Sequence, residues 1–246
     1  KSRSQKTPKK TSQKLILGFL QVCQDFPKSF QNRKKSLPNA TSNADAPKNK
    51  EKWPKGIENP PADPIVERVT KGIRATYINH ATVLVQVAGL NILTDPVWSK
   101  RVSPVTFAGP KRVRDPGIPI EALPEIDLIL VSHNHYDHLC EPTMRRLAET
   151  HGPVVYTGLG NGALLRRYGI EEVHELGWWQ SAPFGETAVT AVPMRHFSGR
   201  GATDRDRTLW CGLHVAHPAG GLLFAGDTGY CGAFREARSL FRTGQA

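Results

Sequence analysis

We predict an α/β (α+β) fold for this 246-residue chain from three patterns in its sequence. Residues 73–78, 82–87 and 90–94 are short, β-branched and closely spaced, which is typical of an antiparallel meander. From residue 126 onwards, apolar strand patterns alternate with helical ones, as in sheets that helices cover. A continuous apolar run, residues 126–131, ends in a cluster of histidine and aspartate, which indicates a buried strand that carries a site.

Local signals define the remaining elements. Pro142 suits the first turn of a helix over residues 142–149, which Gly152 and Pro153 end. Residues 99–124 contain prolines and basic residues without a period, which predicts a long loop. A second helix is predicted at residues 161–168 and further strands at residues 154–156, 173–176, 188–192, 209–215 and 222–225.

Charge is distributed unevenly along the chain. The formal net charge is +11, and residues 1–55 hold 14 Lys and Arg against 3 Asp and Glu. This composition predicts a basic, disordered arm over residues 1–55, followed by a proline-rich linker over residues 56–70 and a folded domain over residues 71–246. Residues 56–246 hold 19 charges of each sign, so we expect no nucleic-acid partner.

The arm contains one apolar run, residues 15–20, which is far too short to span a bilayer. A basic segment precedes it, but the small-residue cleavage site of a signal peptide is missing. Such an arm can contact anionic lipid at about 1 kcal/mol for each well-placed Lys or Arg. We therefore expect a cytoplasmic protein with peripheral membrane contact through the arm; a purely solvated arm is the alternative.

The cluster after the apolar run has the spacing of a metal site. His133 and His135 are two positions apart, so their side chains point the same way on extended backbone. Asp137 and His138 follow on a tight turn and can face a second point nearby. Neutral imidazole and carboxylate are ligands for zinc and similar ions. The motif thus predicts four ligands for two adjacent metal ions.

This motif and its surroundings resemble the metallo-β-lactamase superfamily, and within it the N-acylphosphatidylethanolamine phospholipase D branch. The His-x-His-x-Asp-His pattern is similar to the superfamily as a whole. The resemblance to the branch rests on three further blocks, Gly109-Pro-Lys-Arg112, Trp178-Trp179 and Gly226-Asp-Thr-Gly-Tyr230. It covers roughly residues 70–240 and implies a four-layer αβ/βα sandwich with two Zn²⁺ ions.

The resemblance also implies the remaining metal ligands. His196 would complete the first metal site with His133 and His135, and Asp227 would bridge the two ions. Asp137 would bind the second ion and orient or deprotonate the nucleophile.

Four more residues are candidates for supporting roles. Asp95 resembles the family's carboxylate that orients a ligand histidine, and His80 also ends a strand near the expected site. Strand-end capping is the alternative for both. Lys111 and Arg112 could neutralise phosphate charge on a substrate, with a solvated loop face as the alternative.

The implied reaction is hydrolysis of N-acylphosphatidylethanolamine-like phospholipids to N-acylethanolamine and phosphatidic acid. Two alternatives stay open: another hydrolase of the same fold, such as a nuclease, lactonase or thioesterase, and a non-catalytic binding protein with an incomplete site. In the family the second metal takes a further histidine after the Gly-Asp-Thr-Gly-Tyr block, and no histidine follows His217. We therefore expect a C-terminally truncated chain in which the second half of the sandwich is incomplete.

A glycine pattern admits a different function. Residues 158–163, Gly-Leu-Gly-Asn-Gly-Ala, fit the dinucleotide-binding template between a strand and a helix. No acidic residue stands near position 180 to bind a ribose, so we interpret these glycines as tight-turn residues.

Overall fold

The computed structural model describes residue 54 and residues 56–60, 63–105, 107–217 and 221–243. The predicted basic arm therefore lies, except for Pro54, outside the described residues. No helix in the described part of the chain is both long enough and apolar enough to cross a membrane.

The first sheet has six strands in chain order. The strands are β1 (Ile73–Asn79), β2 (Thr82–Val87), β3 (Leu90–Thr94), β4 (Leu128–Val131), β5 (Val154–Gly158) and β6 (Val173–Leu176). The first three pair antiparallel, which confirms the predicted meander. The pairs from β3 to β6 are parallel, so the carboxyl ends of β3, β4 and β5 lie at the same edge.

The second sheet has four antiparallel strands in the order β10-β9-β8-β7. They are β7 (Ser181–Phe184), β8 (Thr187–Val192), β9 (Gly212–Ala216) and β10 (Leu222–Phe224). Strand β7 was not predicted. It is an edge strand of four residues that contains Pro183, and its side chains stay partly exposed, so it lacks the pattern of a buried strand.

Within the described residues, three helices cover the sheets: α1 (Glu141–His151), α2 (Gly162–Arg167) and α3 (Ala233–Thr243). Helix α1 ends at Gly152, whose φ of 57° is the left-handed conformation that glycine adopts most readily at a helix end. The sequence did not predict α3. The predicted long loop contains one short 3₁₀ turn, Ile120–Ala122.

Side-chain alternation along the strands divides the core into layers. Leu84 and Leu93 face a core that also contains Met144 of α1, whereas Val85 and Ile92 face the second sheet. On the outer face of the second sheet, Ala237 of α3 is buried with side chains of β8 and its flanking loop. The order is helices, sheet, sheet, helix, which confirms the four-layer αβ/βα architecture.

The glycine loop between β5 and α2 is occupied by a side chain of the protein itself. Oε1 of Glu175 accepts hydrogen bonds from the backbone N–H groups of Gly160 at 2.7 Å and Gly162 at 2.9 Å. These are the groups that would cradle a dinucleotide phosphate in the template. The carboxylate of Glu175 already occupies the backbone N–H groups that a phosphate would need, which agrees with the tight-turn interpretation.

Candidate metal centre

The predicted metal ligands converge from three segments of the chain, and His80 joins them from a fourth. His133 to His138 follow β4, His196 follows β8, and Asp227 follows β10. His80 lies in the turn between β1 and β2. The first sheet thus supplies the motif and His80, and the second sheet supplies the other two side chains.

Three imidazoles form the first donor cluster. Nε2 of His133 lies 2.8 Å from Nδ1 of His135, and Nε2 of His196 lies 3.3 Å from that same Nδ1. Metal–nitrogen bonds of 2.0–2.1 Å in a tetrahedral site separate the ligand atoms by about 3.3 Å. The donor atoms of these residues all lie within 4.8 Å of one another, so they fit around one ion.

The second donor cluster joins Asp137, His138 and, in addition, His80. Oδ2 of Asp137 lies 3.2 Å from Nε2 of His80 and 3.9 Å from Nε2 of His138. The two imidazole Nε2 atoms are 3.3 Å apart. These separations also match a single ion, and His80 had been expected only in a supporting role.

Asp227 lies between the two clusters. Its Oδ2 is 3.3 Å from Nε2 of His138 and 3.7 Å from Nε2 of His196. One carboxylate thus reaches a donor of each cluster, which is the arrangement that a bridging ligand requires.

A glycine allows β10 to approach the motif this closely. Gly226, which precedes Asp227, has a φ of 59°. A Cβ there would lie 2.4 Å from Cβ of Ser132, closer than side chains tolerate. The conformation and the close approach both require glycine, and together they bring Asp227 to the end of β4.

The buried carboxylate of Asp95 fixes the orientation of two residues of the motif region, His138 and Ser132. It is fully buried, and its Oδ2 accepts hydrogen bonds from Nδ1 of His138 at 2.6 Å and from Oγ of Ser132 at 2.5 Å. The Oδ1 atom accepts the backbone N–H of Ser132 at 2.7 Å. Because an ionised carboxylate only accepts, Nδ1 of His138 carries the proton, and Nε2 is directed at the metal position.

Ser132 extends this support to the first cluster. Its hydroxyl, which donates to Asp95, lies 2.8 Å from Nδ1 of His133 and can accept the proton of that nitrogen. The chain Asp95–Ser132–His133 then leaves Nε2 of His133 free for a metal. The sequence analysis missed Ser132, and its place immediately before the motif is the only signal that marks it.

Burial and mutual repulsion keep the first cluster neutral. Burial, together with the neighbouring His138, His135 and His196, lowers the pKa of His133 to about 2. Burial is also the main cause of the lowered pKa values of His135 and His196. Neutral imidazoles are the form that binds metal ions.

The second cluster has the opposite electrostatics. A hydrogen bond to His138 lowers the pKa of Asp227 to about 2, and one to His80 holds the pKa of Asp137 below its usual range. Burial opposes the charged form of His138, but its hydrogen bonds to Asp227 and Asp95 raise its pKa to about 10. The two carboxylates therefore attract positive charge to the position where a cation would bind.

A loop after His196 holds the motif in place. The guanidinium of Arg200 donates to the backbone carbonyls of Asn134 and Leu139, each at 2.8 Å, and stacks over the ring of Tyr136 at 3.9 Å. Sequence reasoning missed Arg200, because nothing in its local pattern distinguishes it from a solvated loop residue.

Lys111 and Arg112 are not among the residues that form the two donor clusters. Arg112 donates to the carbonyls of Ser99 at 2.9 Å and Val97 at 3.2 Å, and it lines a cavity of about 370 Å³ with Trp98 and others. None of the metal-cluster residues lines that cavity. Lys111 is exposed. The guanidinium of Arg112 thus forms hydrogen bonds within its own loop. A contact between Arg112 and a substrate phosphate stays a prediction.

Comparisons with known proteins agree with this architecture. Residues 90–243 match the family described as the beta-lactamase superfamily domain. An uncharacterized protein of Mycobacterium tuberculosis is 40% identical over 166 residues, which are 67% of this chain and 44% of that protein. The N-acyl-phosphatidylethanolamine-hydrolyzing phospholipase D 1 of Caenorhabditis elegans is 38% identical over an alignment of 170 residues that covers 65% of this chain and 48% of that enzyme.

The fold itself is similar to that of a metallo hydrolase from the archaeon Ignicoccus hospitalis. The two structures align with a TM-score of 0.52 at 20% sequence identity, over 69% of this chain and 66% of the other. The chain spans less than half of the length of the mycobacterial and nematode relatives. The match to the superfamily domain covers more than half of the chain, and the chain therefore belongs to the metallo-β-lactamase superfamily of metal-dependent hydrolases.

Proposed function

We propose that this chain is a phosphodiesterase of phospholipase D type that hydrolyses N-acylphosphatidylethanolamine-like phospholipids with two Zn²⁺ ions. The observation that carries the proposal is Asp227, whose Oδ2 lies within 3.7 Å of a donor atom in each of two clusters of metal-ligand side chains. Two adjacent ions suit phosphodiester hydrolysis, because the attacking and the leaving oxygen both need stabilisation.

Zinc is the ion that the donor set favours. The first cluster offers three neutral imidazoles, and the second offers imidazole with carboxylate, which are the ligand types of catalytic zinc sites. Two such ions, when bound, lower the pKa of a water molecule and stabilise charge on the phosphoryl oxygens.

Asp137 is the residue that we assign to proton transfer. Its side chain is 40% exposed, in contrast to His138, which is fully buried, so it faces the side from which substrate approaches. The low pKa of Asp137 keeps it ionised and ready to accept a hydrogen bond from the attacking water. It would orient that water, take its proton, and pass a proton to the ethanolamine oxygen as the phosphorus–oxygen bond breaks.

The choice of substrate rests on similarity. The nematode relative is named for hydrolysis of N-acylphosphatidylethanolamine, and this chain is 38% identical to it over the aligned part. We further propose that the basic segment, residues 1–55, brings the chain to anionic phospholipid surfaces. The support is its charge, 14 basic residues against 3 acidic ones, because such segments are attracted to anionic headgroups.

The proposal is tested with purified, zinc-loaded protein and N-acylphosphatidylethanolamine in mixed micelles. We expect phosphatidic acid and N-acylethanolamine by mass spectrometry, and we expect the variant His133→Ala to lower turnover by at least about 10³-fold. The variant His174→Asn, a histidine of β6 away from both clusters, is the matched control. A zinc-loaded protein that releases neither product but cleaves a lactone, a thioester or RNA would assign another hydrolase instead.

A further inference from the structure

We propose that residues 99–114, the basic hairpin, dock onto the surface of an anionic phospholipid bilayer and insert their exposed tip into it. The hairpin lies outside both donor clusters. The inference rests on the proposed function only in the choice of a lipid as the partner. It names the surface through which a phospholipase of this kind would reach its substrate.

The segment folds back on itself through antiparallel backbone contacts. Arg101 and Lys111 form an antiparallel bridge. Beside them, the N–H of Arg112 donates to the carbonyl of Lys100 at 3.0 Å. These paired residues form a stem on either side of a tip that comprises residues 103–109, so the tip is presented on a defined base.

The two ends of the tip are in contact with each other. Gly109 has a φ of 95°, and a Cβ there would lie 2.5 Å from Cβ of Ser103, so this approach requires glycine. The guanidinium of Arg101 donates to the carbonyl of Gly109 at 2.6 Å and holds the same end. A preformed tip loses little conformational freedom when it binds, so more of its contact energy contributes to affinity.

The tip exposes apolar side chains to water. Phe107 is 82% exposed, and Val105, two positions before it, is 37% exposed. A single exposed apolar residue is common on protein surfaces, but two such residues at the end of a closed hairpin form a projecting apolar contact. Their transfer from water into an apolar environment would be favourable.

The hairpin carries charge of one sign only. Residues 99–114 contain no Asp or Glu and five cations, Lys100, Arg101, Lys111, Arg112 and Arg114. Within the described residues no ion pair joins any of these cations to a carboxylate. An apolar tip with unpaired cations behind it matches an anionic bilayer, where the tip enters the interface and the cations attract the headgroups.

The basic segment that precedes the fold is connected at the stem of the hairpin. The N–H of Ile57 donates to the carbonyl of Val113 at 2.7 Å, and the side chain of Asn59 donates to the carbonyl of Asp115 at 2.8 Å. Residues 1–55, with 14 basic residues against 3 acidic ones, therefore continue the chain from a point fixed to the stem. Two linked contacts with one surface bind it more tightly than either contact alone.

Docking through the hairpin would also bring lipid near the donor clusters. Strand β3 ends at Thr94, and the next residue, Asp95, accepts a hydrogen bond from His138 of the second cluster. Five residues of extended chain span at most about 18 Å, so the stem begins within about 18 Å of Asp95 at Lys100. The hairpin and the donor clusters thus belong to the same region of the protein.

The test measures binding of the zinc-loaded full chain to sedimented vesicles of phosphatidylcholine with and without phosphatidylglycerol. Phe107→Ser removes most of the apolar surface of the tip and should lower the affinity for anionic vesicles by at least about 10-fold. Lys111→Glu reverses one stem charge and should lower it by at least about 5-fold. The effect of Lys111→Glu should shrink with added salt, because exposed charges are screened.

Two exposed residues before β1 provide matched controls. Val66 is 40% exposed and Lys71 is exposed, whereas the other end of the strand, at Ile78, contacts Gly117 after the hairpin. The seven residues of β1 separate these two ends by roughly 20 Å. Val66→Ser and Lys71→Glu should therefore each change the vesicle affinity by less than about 2-fold.

A fluorescence experiment reports insertion of the tip directly. Phe107→Trp adds one tryptophan to the five of the chain, and its emission is read as the difference from wild type. Vesicles with brominated acyl chains should quench this added emission, because the ring at position 107 would lie among the lipids.

The outcomes separate the docking surface from the reaction. Wild-type vesicle affinity in both Phe107→Ser and Lys111→Glu, or an added tryptophan that stays unquenched, would overturn the docking surface. Variants that lose binding to single-stranded RNA while retaining vesicle binding would overturn it as well and assign the hairpin to nucleic acid. Vesicle binding through the hairpin without release of N-acylethanolamine would refute the proposed reaction and leave the docking surface intact.

Discussion

The buried carboxylate of Asp95 lies 2.6 Å from Nδ1 of His138, and neither side chain is exposed to solvent. Asp95 thereby decides which nitrogen of His138 can bind a metal ion. The same carboxylate accepts hydrogen bonds from the backbone N–H and the hydroxyl of Ser132. It therefore also fixes the residue that immediately precedes the metal-binding motif. One buried carboxylate thus supports His138 of the second cluster directly and His133 of the first cluster through Ser132.

This relationship predicts the effect of Asp95→Asn. The amide keeps the shape of the side chain but is a poorer acceptor, so His138 loses the partner that fixes its tautomer. We expect a 10- to 100-fold loss in affinity for the zinc ion at the second cluster, to which His138 belongs, measured by competition with a chromogenic chelator. Asp63→Asn, an exposed residue of the linker, is the control, and equal affinities in the two variants would contradict the assignment.

A second prediction concerns acid stability and His214 of β9. Its ring stacks on Phe241 of α3, with centroids 3.5 Å apart, and its Nδ1 has no hydrogen-bond partner within the described residues. Burial lowers its pKa to about 4, from about 6.5 in an unfolded chain. The folded state thus favours the neutral ring, and this stabilisation is complete above pH 6.5 and is lost as the pH falls toward 4.

The loss amounts to about 3 kcal/mol at most for His214. Replacement by leucine removes the titrating group, so His214→Leu should lose less stability than the wild type between pH 7 and pH 4.5. Urea unfolding of both metal-free proteins at the two pH values measures this difference, and the other histidines cancel because both proteins contain them. Parallel pH profiles for the two proteins would show that His214 does not titrate in this range.

A third prediction tests the packing of the glycine loop. A Cβ at Gly158, the last residue of β5, would lie 2.5 Å from the carbonyl oxygen of Leu209, and a backbone atom cannot rotate away. Gly158→Ala should lower the free energy of unfolding by about 1–3 kcal/mol. Gly232→Ala, where no atom lies within 4 Å of the new Cβ, should change it by less than about 0.5 kcal/mol. Equal denaturation midpoints for the two variants would argue against the described contact.

The fourth prediction separates the basic arm from the chemistry. Deletion of residues 1–53 removes none of the described metal-cluster residues, so hydrolysis of a soluble phosphodiester should stay within about 2-fold of the full chain. Turnover on anionic vesicles should fall, and the difference should narrow with added salt because exposed charges are screened. If both proteins act equally on vesicles at low ionic strength, the arm has no role at membranes.

The sequence predicted the central strands of the fold better than the peripheral elements β7 and α3. The strands β1 to β3 and the helix end at Gly152 have strong local signals, and the structure places them where they were expected. Strand β7 is short and exposed, so local pattern does not mark it. Helix α3 does carry an amphipathic pattern, with Phe234, Ala237 and Phe241 on one packed face, and the sequence analysis missed it. Elements that depend on contacts distant in sequence carry little information in their own residues.

The same distinction applies to the metal centre. His133 and His135 are two positions apart, so the sequence alone predicts that their side chains point the same way. The place of His80 depends on the pairing of β1 with β2 and on a turn conformation that a histidine rarely adopts, and the sequence encodes neither visibly. Ser132 and Arg200 act through backbone and hydroxyl contacts that have no spacing rule.

The two sheets meet at this centre, since His196 and Asp227 come from the second sheet and the motif comes from the first. An ion bound between them links the two halves of the sandwich through coordinate bonds, in addition to the apolar core that they already share. Because the unfolded chain lacks such a preformed site, a ligand at 100 times its dissociation constant adds about 2.7 kcal/mol to the free energy of unfolding. Supply of the metal would then govern how long the folded protein survives, as well as whether it is active.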